Sequence, residues 1–544
     1  MVTTDKKIVR TLVDLCVAHG VENVVLSPGS RNAPLSIAFN RESKMTCRVI
    51  VDERSAAFFA LGLALSSNKP VVVVCTSGTA LLNLAPAVAE AYYQKVPLIV
   101  VSADRPLEWI DQNDSQTIRQ SGALSNFVKR SYQLPMNEDA DALWYANRII
   151  NDALITAVSG RKAPVHINVP LSEPLCNTVD SADEQRVVRH VEPQSTTMVD
   201  ESLLNRYASQ FNSCQKVMIL SGFMRDVEPL RELVRCYADI PSVSVVTEPI
   251  SNVFSEKTLN SPELFFSYII NYEEPENFVP DLLITMGGAI VSKSAKIFLR
   301  NNPPKFHWHI SEEEWTIDTF QCLTDRMDVD PFLFLTQLKT KTTSVESSYS
   351  DFCKNSYHAA TAAQQLDLEE VEWSDLKAFS ILLPQLQKNT ALHLSNGLSV
   401  RTAQRLPLRS DLRLYSNRGT SGIDGATSTA VGFSCHYAGK TILITGDISF
   451  LYDSNGLWNN YLSGKFGVVV INNGGGSIFK RLKGPSSVPE LNDYFVTPHH
   501  VDLQKMADLY GLKYFKATNQ SSLTSVLSDF LSEQNSTSLL EILC

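Results

Sequence analysis

Two polar residues in the C-terminal third, Asp447 and Asn473, stand 26 positions apart, each just after a short apolar run. The runs are residues 441–445 and 468–471, and glycines 474 to 476 follow the second one. Carboxylate, amide and carbonyl oxygens are hard donors suited to a Mg2+ ion that also holds a phosphate. The glycines permit close backbone approach to such a group. The spacing predicts an anchor for a diphosphate; the alternative is an Asp that caps a helix and an Asn in a turn.

The elements that would position this pair are two parallel strands. Two β-branched runs separated by a helix-length segment predict a βαβ unit. Asp447 and Asn473 then lie at the carboxyl ends of neighbouring strands, where open α/β sheets bind their ligands.

The same alternation of apolar runs and helical periodicity extends along all 544 residues and predicts three doubly wound α/β domains. The predicted ranges are 1–180, 195–345 and 370–544, with polar connections at 177–201 and 339–350 and a helix at 351–372. The predicted strands are 21–26, 71–75, 98–102, 165–169, 216–220, 242–246, 281–286, 306–310, 392–395, 412–416, 441–445, 468–471 and 538–543.

Composition narrows the class of protein. The net charge of −10, from 48 basic and 58 acidic residues, argues against nucleic-acid and anionic-membrane partners. No apolar stretch approaches the roughly 18 residues of a membrane span, and the N-terminal segment has the pattern of an amphipathic helix. The ten cysteines are scattered without metal-ligand spacing, which favours reduced thiols. A cytoplasmic protein is expected.

Further charged residues follow predicted strands. Glu53 begins an apolar helix in DERSAAFFALGLAL, where a carboxylate is also favoured by the helix dipole or by simple exposure. Arg31, in SPGSRNAP, adjoins a helix start suited to anions, with Ser30 or Asn32 as the capping residue.

Several other cations stand at similar places, after a strand and its turn. Guanidinium groups bind carboxylates bidentately, so the set suggests a carboxylate-rich substrate. These cations are Arg105 in SADRP, Arg418 in SNRGTSGIDG, Arg401, and Lys293 after residues 286–288. Ser77 in TSGTA is interpreted as a helix-start turn rather than a nucleophile, and His499-His500 as a polar loop.

Together these motifs resemble the thiamine diphosphate-dependent enzymes. The spacing from Gly446 to Asn473 is similar to that family's metal–diphosphate motif, and Glu53 matches its activating carboxylate. The branch that serves menaquinone biosynthesis is the most similar, on motifs that span nearly the whole chain but cover the middle domain thinly: SPGSR, DERSAAFFALGLA, TSGTA, SADRP, QTIRQ, PVHINVP and SNRGTSGIDG. The resemblance implies a pyrimidine-binding domain, a central domain without FAD and a diphosphate-binding domain.

The resemblance also implies a cofactor site shared between two subunits of a homodimer or homotetramer. Glu53 would activate the pyrimidine ring of thiamine diphosphate, and Ile423 would hold the cofactor bent. Mg2+, or Mn2+ in its place, would bind Asp447, Asn473 and the Gly475 carbonyl. The remaining implied cofactor contacts are Gly397, Gly446, Ile448, Ser449, Ile478 and Phe479.

The implied reaction is decarboxylation of 2-oxoglutarate and 1,4-addition of the resulting carbanion to isochorismate, by a transferase of the carboligase type. Both substrates are dicarboxylates, which accounts for the cations. The implied substrate contacts are Ser30, Arg31, Arg105, Gln116, Lys293, Arg401 and Arg418. The chain departs from the family at Ile448, where glycine is usual, at Ser294, where some members have a second cation, and at Gly397, where some have serine.

Three alternatives stay open at this point. A decarboxylase or carboligase of small 2-keto acids, similar to acetohydroxyacid synthase, would need fewer cations than this chain carries. A non-catalytic thiamine diphosphate-binding protein would have no need of Glu53 and Ile423. A nicotinamide dehydrogenase would need a GxGxxG fingerprint after a strand, which the sequence lacks.

Overall fold

Three parallel β-sheets, each covered by helices, organise the chain. The computed structural model describes residues 2–180, 188–193, 198–225, 228–343 and 345–544. The sheets fall within the three domain ranges expected from the sequence, whose exact boundaries stay a prediction.

The first sheet has six parallel strands in the order β3-β2-β4-β5-β7-β6. Its central strand β4 is buried at all five positions, as a VVVVC run between two helix layers requires. The strands are β2 (Asn23–Leu26), β3 (Thr46–Val49), β4 (Val71–Cys75), β5 (Leu98–Asp104), β6 (Ser131–Gln133) and β7 (Val165–Pro170). The helices are α1 (Lys7–Ala18), α2 (Ala33–Arg41), α3 (Glu53–Ser67), α4 (Thr79–Asn83), α5 (Ala85–Gln94) and α6 (Ala140–Val158).

The middle sheet has five parallel strands in the order β10-β9-β11-β12-β13. These strands are β9 (Val217–Ser221), β10 (Val243–Thr247), β11 (Leu282–Met286), β12 (Phe306–Ser311) and β13 (Asp325–Asp328). The helices are α7 (Glu201–Ser213), α8 (Glu228–Tyr237), α9 (Pro262–Tyr272), α10 (Lys293–Asn301) and α11 (Pro331–Lys339), followed by the connecting helix α12 (Tyr349–Glu370).

The third sheet repeats the strand order of the first: β15-β14-β16-β17-β19-β18. Its strands are β14 (Ala391–Leu394), β15 (Arg413–Tyr415), β16 (Thr441–Gly446), β17 (Phe466–Asn472), β18 (Lys513–Ala517) and β19 (Ser538–Leu543). Its helices are α13 (Asp375–Gln385), α14 (Leu398–Ala403), α15 (Ala426–Ser434), α16 (Asp447–Tyr452), α17 (Leu503–Tyr510) and α18 (Gln520–Ser532).

Helices α3 and α15 hold the first and third domains together. Both helices are buried on all sides over most of their length, so each must pack against protein around its whole circumference. At the crossing, a Cβ on Gly62 would lie 2.0 Å from the Thr429 carbonyl oxygen, and one on Gly432 would lie 2.1 Å from the Phe59 carbonyl oxygen. The two contacts are related by the repeated topology, and glycine at both positions lets the backbones touch.

All thirteen predicted strands are present within a residue or two at each end. The short strand expected before Glu53 without bounds is β3. Five further strands were missed: β6, β13 and β18 in the parallel sheets, and the two strands β1 (Val2–Thr4) and β8 (Thr178–Asp180) outside them. The expected linker 177–201 differs at its start. There β8 pairs antiparallel with β1. The rest of that linker lies partly outside the described residues, as does residue 344 of the connection 339–350.

Two expectations from the composition are that the cysteines are reduced and that no segment spans a membrane. Every one of the ten cysteines lies in the described part of the chain and has a free thiol, as expected. Among the described residues no helix combines the length and the apolar character that a membrane crossing needs.

Candidate functional site

The candidate site lies at the point in the third sheet where the strand order reverses, between β14 and β16. The chain moves from β14 to one side and returns to β16 on the other, so the loops after these adjacent strands diverge and leave a crevice. A cavity of about 160 Å3 occupies it. It is lined by all the predicted cofactor contacts except Glu53: Gly397, Ile423, Gly446, Asp447, Ile448, Ser449, Asn473, Gly475, Ile478 and Phe479.

Asp447 is the first residue of α16, and its side chain is 2% exposed. Its Oδ1 accepts a hydrogen bond from the Ile448 N–H at 2.8 Å, and its Oδ2 accepts one from the Gly475 N–H at 2.8 Å. The helix N-cap is Gly446, so the capping alternative for Asp447 is wrong. The carboxylate instead ties the start of α16 to the glycine loop that follows β17.

The two adjacent asparagines have different roles. Asn472 is the last residue of β17, and its amide donates to Glu541 Oε1 at 2.6 Å while its Oδ1 accepts the Gly474 N–H. Asn473 lines the cavity, and its buried Oδ1 has no hydrogen-bond partner among the described residues. A buried amide oxygen without a partner is costly, which points to a ligand that supplies one.

The residues present fit a divalent cation bound to a phosphate. Asp447 offers a carboxylate, Asn473 an unsatisfied amide oxygen and Gly475 a carbonyl, which are the oxygen donors that Mg2+ prefers. Gly475 has φ +154°, and a Cβ there would lie 2.6 Å from the Val496 carbonyl oxygen. Glycine is therefore required for this loop to pass so close to the site. No set of three His, Cys, Asp or Glu side chains suited to a metal occurs in the described ranges.

Apolar side chains form the rest of the wall. Ile423 is 37% exposed in the chain, and its carbonyl accepts a hydrogen bond from Ser449 Oγ at 2.8 Å. Ile478 and Phe479 follow the glycine loop in a short 3-10 helix that lines the same cavity. The cavity thus has a polar end at Asp447 and Asn473 and an apolar wall, which suits a ligand with a diphosphate and an aromatic ring.

Glu53 lies apart from this cavity within the chain. It is the first residue of α3, half-buried, and its Oε2 accepts a hydrogen bond from Asn83 at 3.3 Å. Its neighbours contact the far end of α16: Arg54 donates to the Tyr452 carbonyl, and Asp52 accepts from Asn455. Asp52 is also the N-cap residue, so the helix-dipole role needs no contribution from Glu53.

The predicted cations of the first domain form a cluster around the ends of β2 and β5. Arg31 is buried and donates to the Leu171 carbonyl at 3.0 Å, with Glu173 at 3.1 Å. Burial lowers its pKa, and the nearby charge of Arg105 lowers it further. Gln116 bonds the Ser77 carbonyl at 3.2 Å, which confirms Ser77 in a helix-start turn.

The other members of this loop differ in exposure. Ser30 is exposed, whereas Asn32 is buried and donates to the Ser27 carbonyl at 2.9 Å. Asn32 holds the N-cap position of α2 without a side-chain capping bond. Ser30 is therefore free to face solvent or a ligand beside Arg31.

The cations of the third domain form a second cluster. Arg418 is 8% exposed and donates to Asn396 Oδ1 at 2.9 Å. Burial lowers the pKa of both Arg401 and Arg418, and Arg401 lowers that of Arg418 further. Arg418 also lines a larger cavity of about 590 Å3 between the first and middle domains. Two guanidinium groups whose charges oppose each other in this way favour an anion near them.

The middle domain contributes a cation that sequence reasoning missed. Lys293 is exposed at the start of α10, whereas Lys296, one helical turn on, is half-buried near Glu248, Arg418 and Arg401. Burial is the largest cause of the lowered pKa of Lys296. The spacing of three from Lys293 is the signal that could have found it. Ser294, where some relatives carry a cation, bonds Glu263.

Three more residues shape the site without having been predicted. Buried Glu90 accepts hydrogen bonds from the Gly419 and Thr420 N–H groups at 2.7 and 2.6 Å, and so fixes the loop that carries Arg418. Asn396 links that loop to the cofactor cavity. His499 lies in a loop, as predicted, and from there contacts Asp447 at 3.2 Å, which was not predicted. These contacts join residues far apart in the chain, so no local pattern indicates them.

Known families match both ends of this architecture. The model described as "Thiamine pyrophosphate enzyme, N-terminal TPP binding domain" matches residues 6–123, and the corresponding C-terminal TPP binding domain matches residues 396–542. A 2-succinyl-5-enolpyruvyl-6-hydroxy-3-cyclohexene-1-carboxylate synthase of Porphyromonas gingivalis is 40% identical over 99% of this chain and 94% of its own length. Synthases of the same name from Flavobacterium johnsoniae and Desulfotalea psychrophila are 40% and 39% identical, over 98% and 99% of this chain and 95% and 98% of their own lengths.

The chain belongs to this synthase family. It is a thiamine diphosphate-dependent enzyme, a transferase of the carboligase type. The predicted fold class, thiamine diphosphate dependence and family are thereby confirmed. In this synthase, the residues after β14 that line the cavity lie in the region matched by the C-terminal TPP binding domain. Glu53 lies in the region matched by the N-terminal TPP binding domain.

Proposed function

We propose that this synthase decarboxylates 2-oxoglutarate and adds the resulting four-carbon unit to isochorismate, in a step of menaquinone biosynthesis. The observation that carries the proposal is the coexistence of a cavity that has a polar end at Asp447 and Asn473 with two clusters of cations, each containing one buried arginine, Arg31 or Arg418. Within the chain Arg31 contacts Glu173 and Arg105 contacts Asp114, so a substrate carboxylate would add to or replace these contacts. A substrate with one carboxylate could pair with one cluster only, whereas two dicarboxylates could pair with both.

Thiamine diphosphate, when bound, supplies the nucleophilic carbon and the electron sink that decarboxylation needs. Asp447, Asn473 and the Gly475 carbonyl are the residues that would hold Mg2+, or Mn2+ in its place, at the diphosphate end of the site. Ile423, Ile478 and Phe479 exclude water from the ring. Glu53 would hold the proton that activates the pyrimidine ring, a role suited to a half-buried carboxylate.

The cations bind and orient the substrates. Arg31 and Arg105 in the first domain, and Arg401, Arg418 and Lys293 in the other two, attract carboxylates into a site with little water. Ser30 and Gln116 add neutral donors at the edge of the first cluster. Positive charge fixed in advance costs no reorganisation during reaction, so it stabilises anionic groups throughout turnover.

The reaction is tested directly by following isochorismate absorbance. The enzyme with thiamine diphosphate, Mg2+ and 2-oxoglutarate should consume isochorismate, and omission of any one component should stop it. Pyruvate in place of 2-oxoglutarate serves as the matched control. Turnover of pyruvate alone, with isochorismate unchanged, would instead establish a small 2-keto-acid carboligase.

The shared site is tested by mixing two inactive variants, Glu53→Gln and Asn473→Ala. We infer a homodimer or homotetramer because Glu53 and the cavity are separate within one chain. If the site joins two subunits, a mixed dimer contains one intact site, and random reassortment should restore about a quarter of wild-type activity. If both residues serve one chain's own site, mixing restores nothing.

A further inference from the structure

His499 contacts the carboxylate at the polar end of the cofactor cavity. Its Nε2 lies 3.2 Å from Asp447 Oδ2, and its side chain is largely shielded from solvent. Its backbone N–H donates to the Gly474 carbonyl at 3.2 Å, which ties this segment to the glycine loop. The imidazole is therefore held beside Asp447 by the same loop that carries Gly475.

A second contact fixes which ring nitrogen carries the proton. The Val501 backbone N–H donates to His499 Nδ1 at 3.2 Å. A backbone N–H can only donate, so Nδ1 is the unprotonated acceptor and the proton resides on Nε2. His499 is thus a hydrogen-bond donor to Asp447 Oδ2.

This donor makes the two oxygens of Asp447 unequal. Oδ2 accepts from both Gly475 and His499, whereas Oδ1 accepts from the Ile448 N–H. With donors on both oxygens the carboxylate cannot rotate freely, and Oδ1 keeps more unused acceptor capacity. Groups that orient a metal-binding carboxylate in this way commonly change metal affinity by about 10- to 100-fold when removed.

We propose that His499 is a positioning residue for the divalent metal, acting through Asp447. The inference rests on the proposed metal site and extends it to a residue that contacts the carboxylate rather than the metal. His499 orients Asp447. The hydrogen bond from the His499 N–H to the Gly474 carbonyl joins the two ends of the segment 474–499 at the polar end of the cavity.

Two amide substitutions separate the two ring contacts. In His499→Gln the amide nitrogen stands near the place of Nε2 and keeps the donor to Asp447. In His499→Asn the shorter amide keeps an acceptor for the Val501 N–H and does not reach Asp447. His500→Asn, at the exposed neighbouring position, is the matched control.

The measurement is Mn2+ binding in the presence of thiamine diphosphate, followed by electron paramagnetic resonance of free Mn2+. His499→Asn should bind Mn2+ about 10- to 100-fold more weakly than wild type, whereas His499→Gln and His500→Asn should stay within a few-fold. The urea midpoint of the protein without cofactor should be similar in all of them, because the proposed role concerns the metal.

Three results would overturn the inference, each in a different way. Wild-type Mn2+ affinity in His499→Asn, together with lost affinity in Asp447→Asn, would keep the metal site and remove His499 from it. Unchanged affinity in Asp447→Asn would remove the metal site itself. Equal weakening in the Asn and Gln variants would also contradict the role of the Nε2 donor.

Discussion

The contact between α3 and α15 predicts that Gly62→Ala destabilises the protein. A glycine inside a helix is ordinarily about 1 kcal/mol less favourable than alanine, so the change alone would stabilise α3. At this position the new Cβ would lie 2.0 Å from the Thr429 carbonyl oxygen. A carbon and a carbonyl oxygen normally approach to about 3.3 Å, so the helices would have to separate by about 1 Å.

The size of the expected destabilisation depends on whether the cost of overpacking exceeds the gain in helix propensity. Overpacking a buried contact costs about 1–3 kcal/mol, and the high end applies here because the obstacle is backbone on a fully buried helix. The gain in helix propensity offsets about 1 kcal/mol of that cost. We expect a net loss of about 1–2 kcal/mol, with a similar loss for Gly432→Ala, whose Cβ would lie 2.1 Å from the Phe59 carbonyl oxygen.

The assay is urea unfolding monitored by circular dichroism, compared by midpoints because a chain of three domains need not unfold in one step. Ser66→Ala is the control, since it raises helix propensity on the same helix at a half-buried site outside the crossing. The midpoint should fall for Gly62→Ala and not for Ser66→Ala. A midpoint for Gly62→Ala at or above that of wild type would refute the packing argument.

Three further predictions concern charge, activation and metal binding. Burial raises the pKa of Asp453 to about 7, above its unfolded value, so its contribution to stability is present at low pH and lost as pH rises through about 7. Asp453→Asn should therefore flatten the decline of the thermal midpoint between about pH 4 and 7, the window in which wild type loses at most roughly 4 kcal/mol of stability through this group. Glu53→Gln should keep thiamine diphosphate binding, measured by calorimetry, while turnover falls about 100- to 10,000-fold. Asn473→Ala should weaken Mn2+ binding by about 10-fold or more, whereas Asn472→Ala, which loses its bond to Glu541, should not.

Each of these predictions has a distinct contrary result. A parallel pH dependence in wild type and Asp453→Asn would show that another group titrates. Wild-type turnover in Glu53→Gln would remove the proposed activation role. Equal Mn2+ affinity in the two asparagine variants would place the metal elsewhere.

The central strands could be predicted from sequence because burial on both faces demands an apolar run. Among the missed strands, β1 and β8 pair only with each other, and β6, β13 and β18 lie at an edge of their sheets. Their sequences SYQ, DRMD and KYFKA are only partly buried, because an edge strand pairs on one side and meets solvent on the other. Such strands carry little periodic signal of their own.

The site residues also fall into those that the sequence could indicate and those that it could not. Asp447 and Asn473 could be found because both follow strands, and a parallel sheet brings strand ends together. Glu90 and Thr420 meet across 330 positions, and His499 meets Asp447 across 52 from an irregular segment. Those contacts depend on how domains and loops are placed, which local periodicity does not encode.

The distribution of thiols makes the protein suited to selective labelling. Cys16 and Cys75 are buried, and burial raises the pKa of each thiol, so little reactive thiolate forms there. Cys176 and Cys236 are exposed, one near the end of the first domain and one on α8 in the middle domain. Cys544 is exposed as well, so once it is replaced by serine a maleimide dye pair at Cys176 and Cys236 could report changes in the separation of the two domains during turnover.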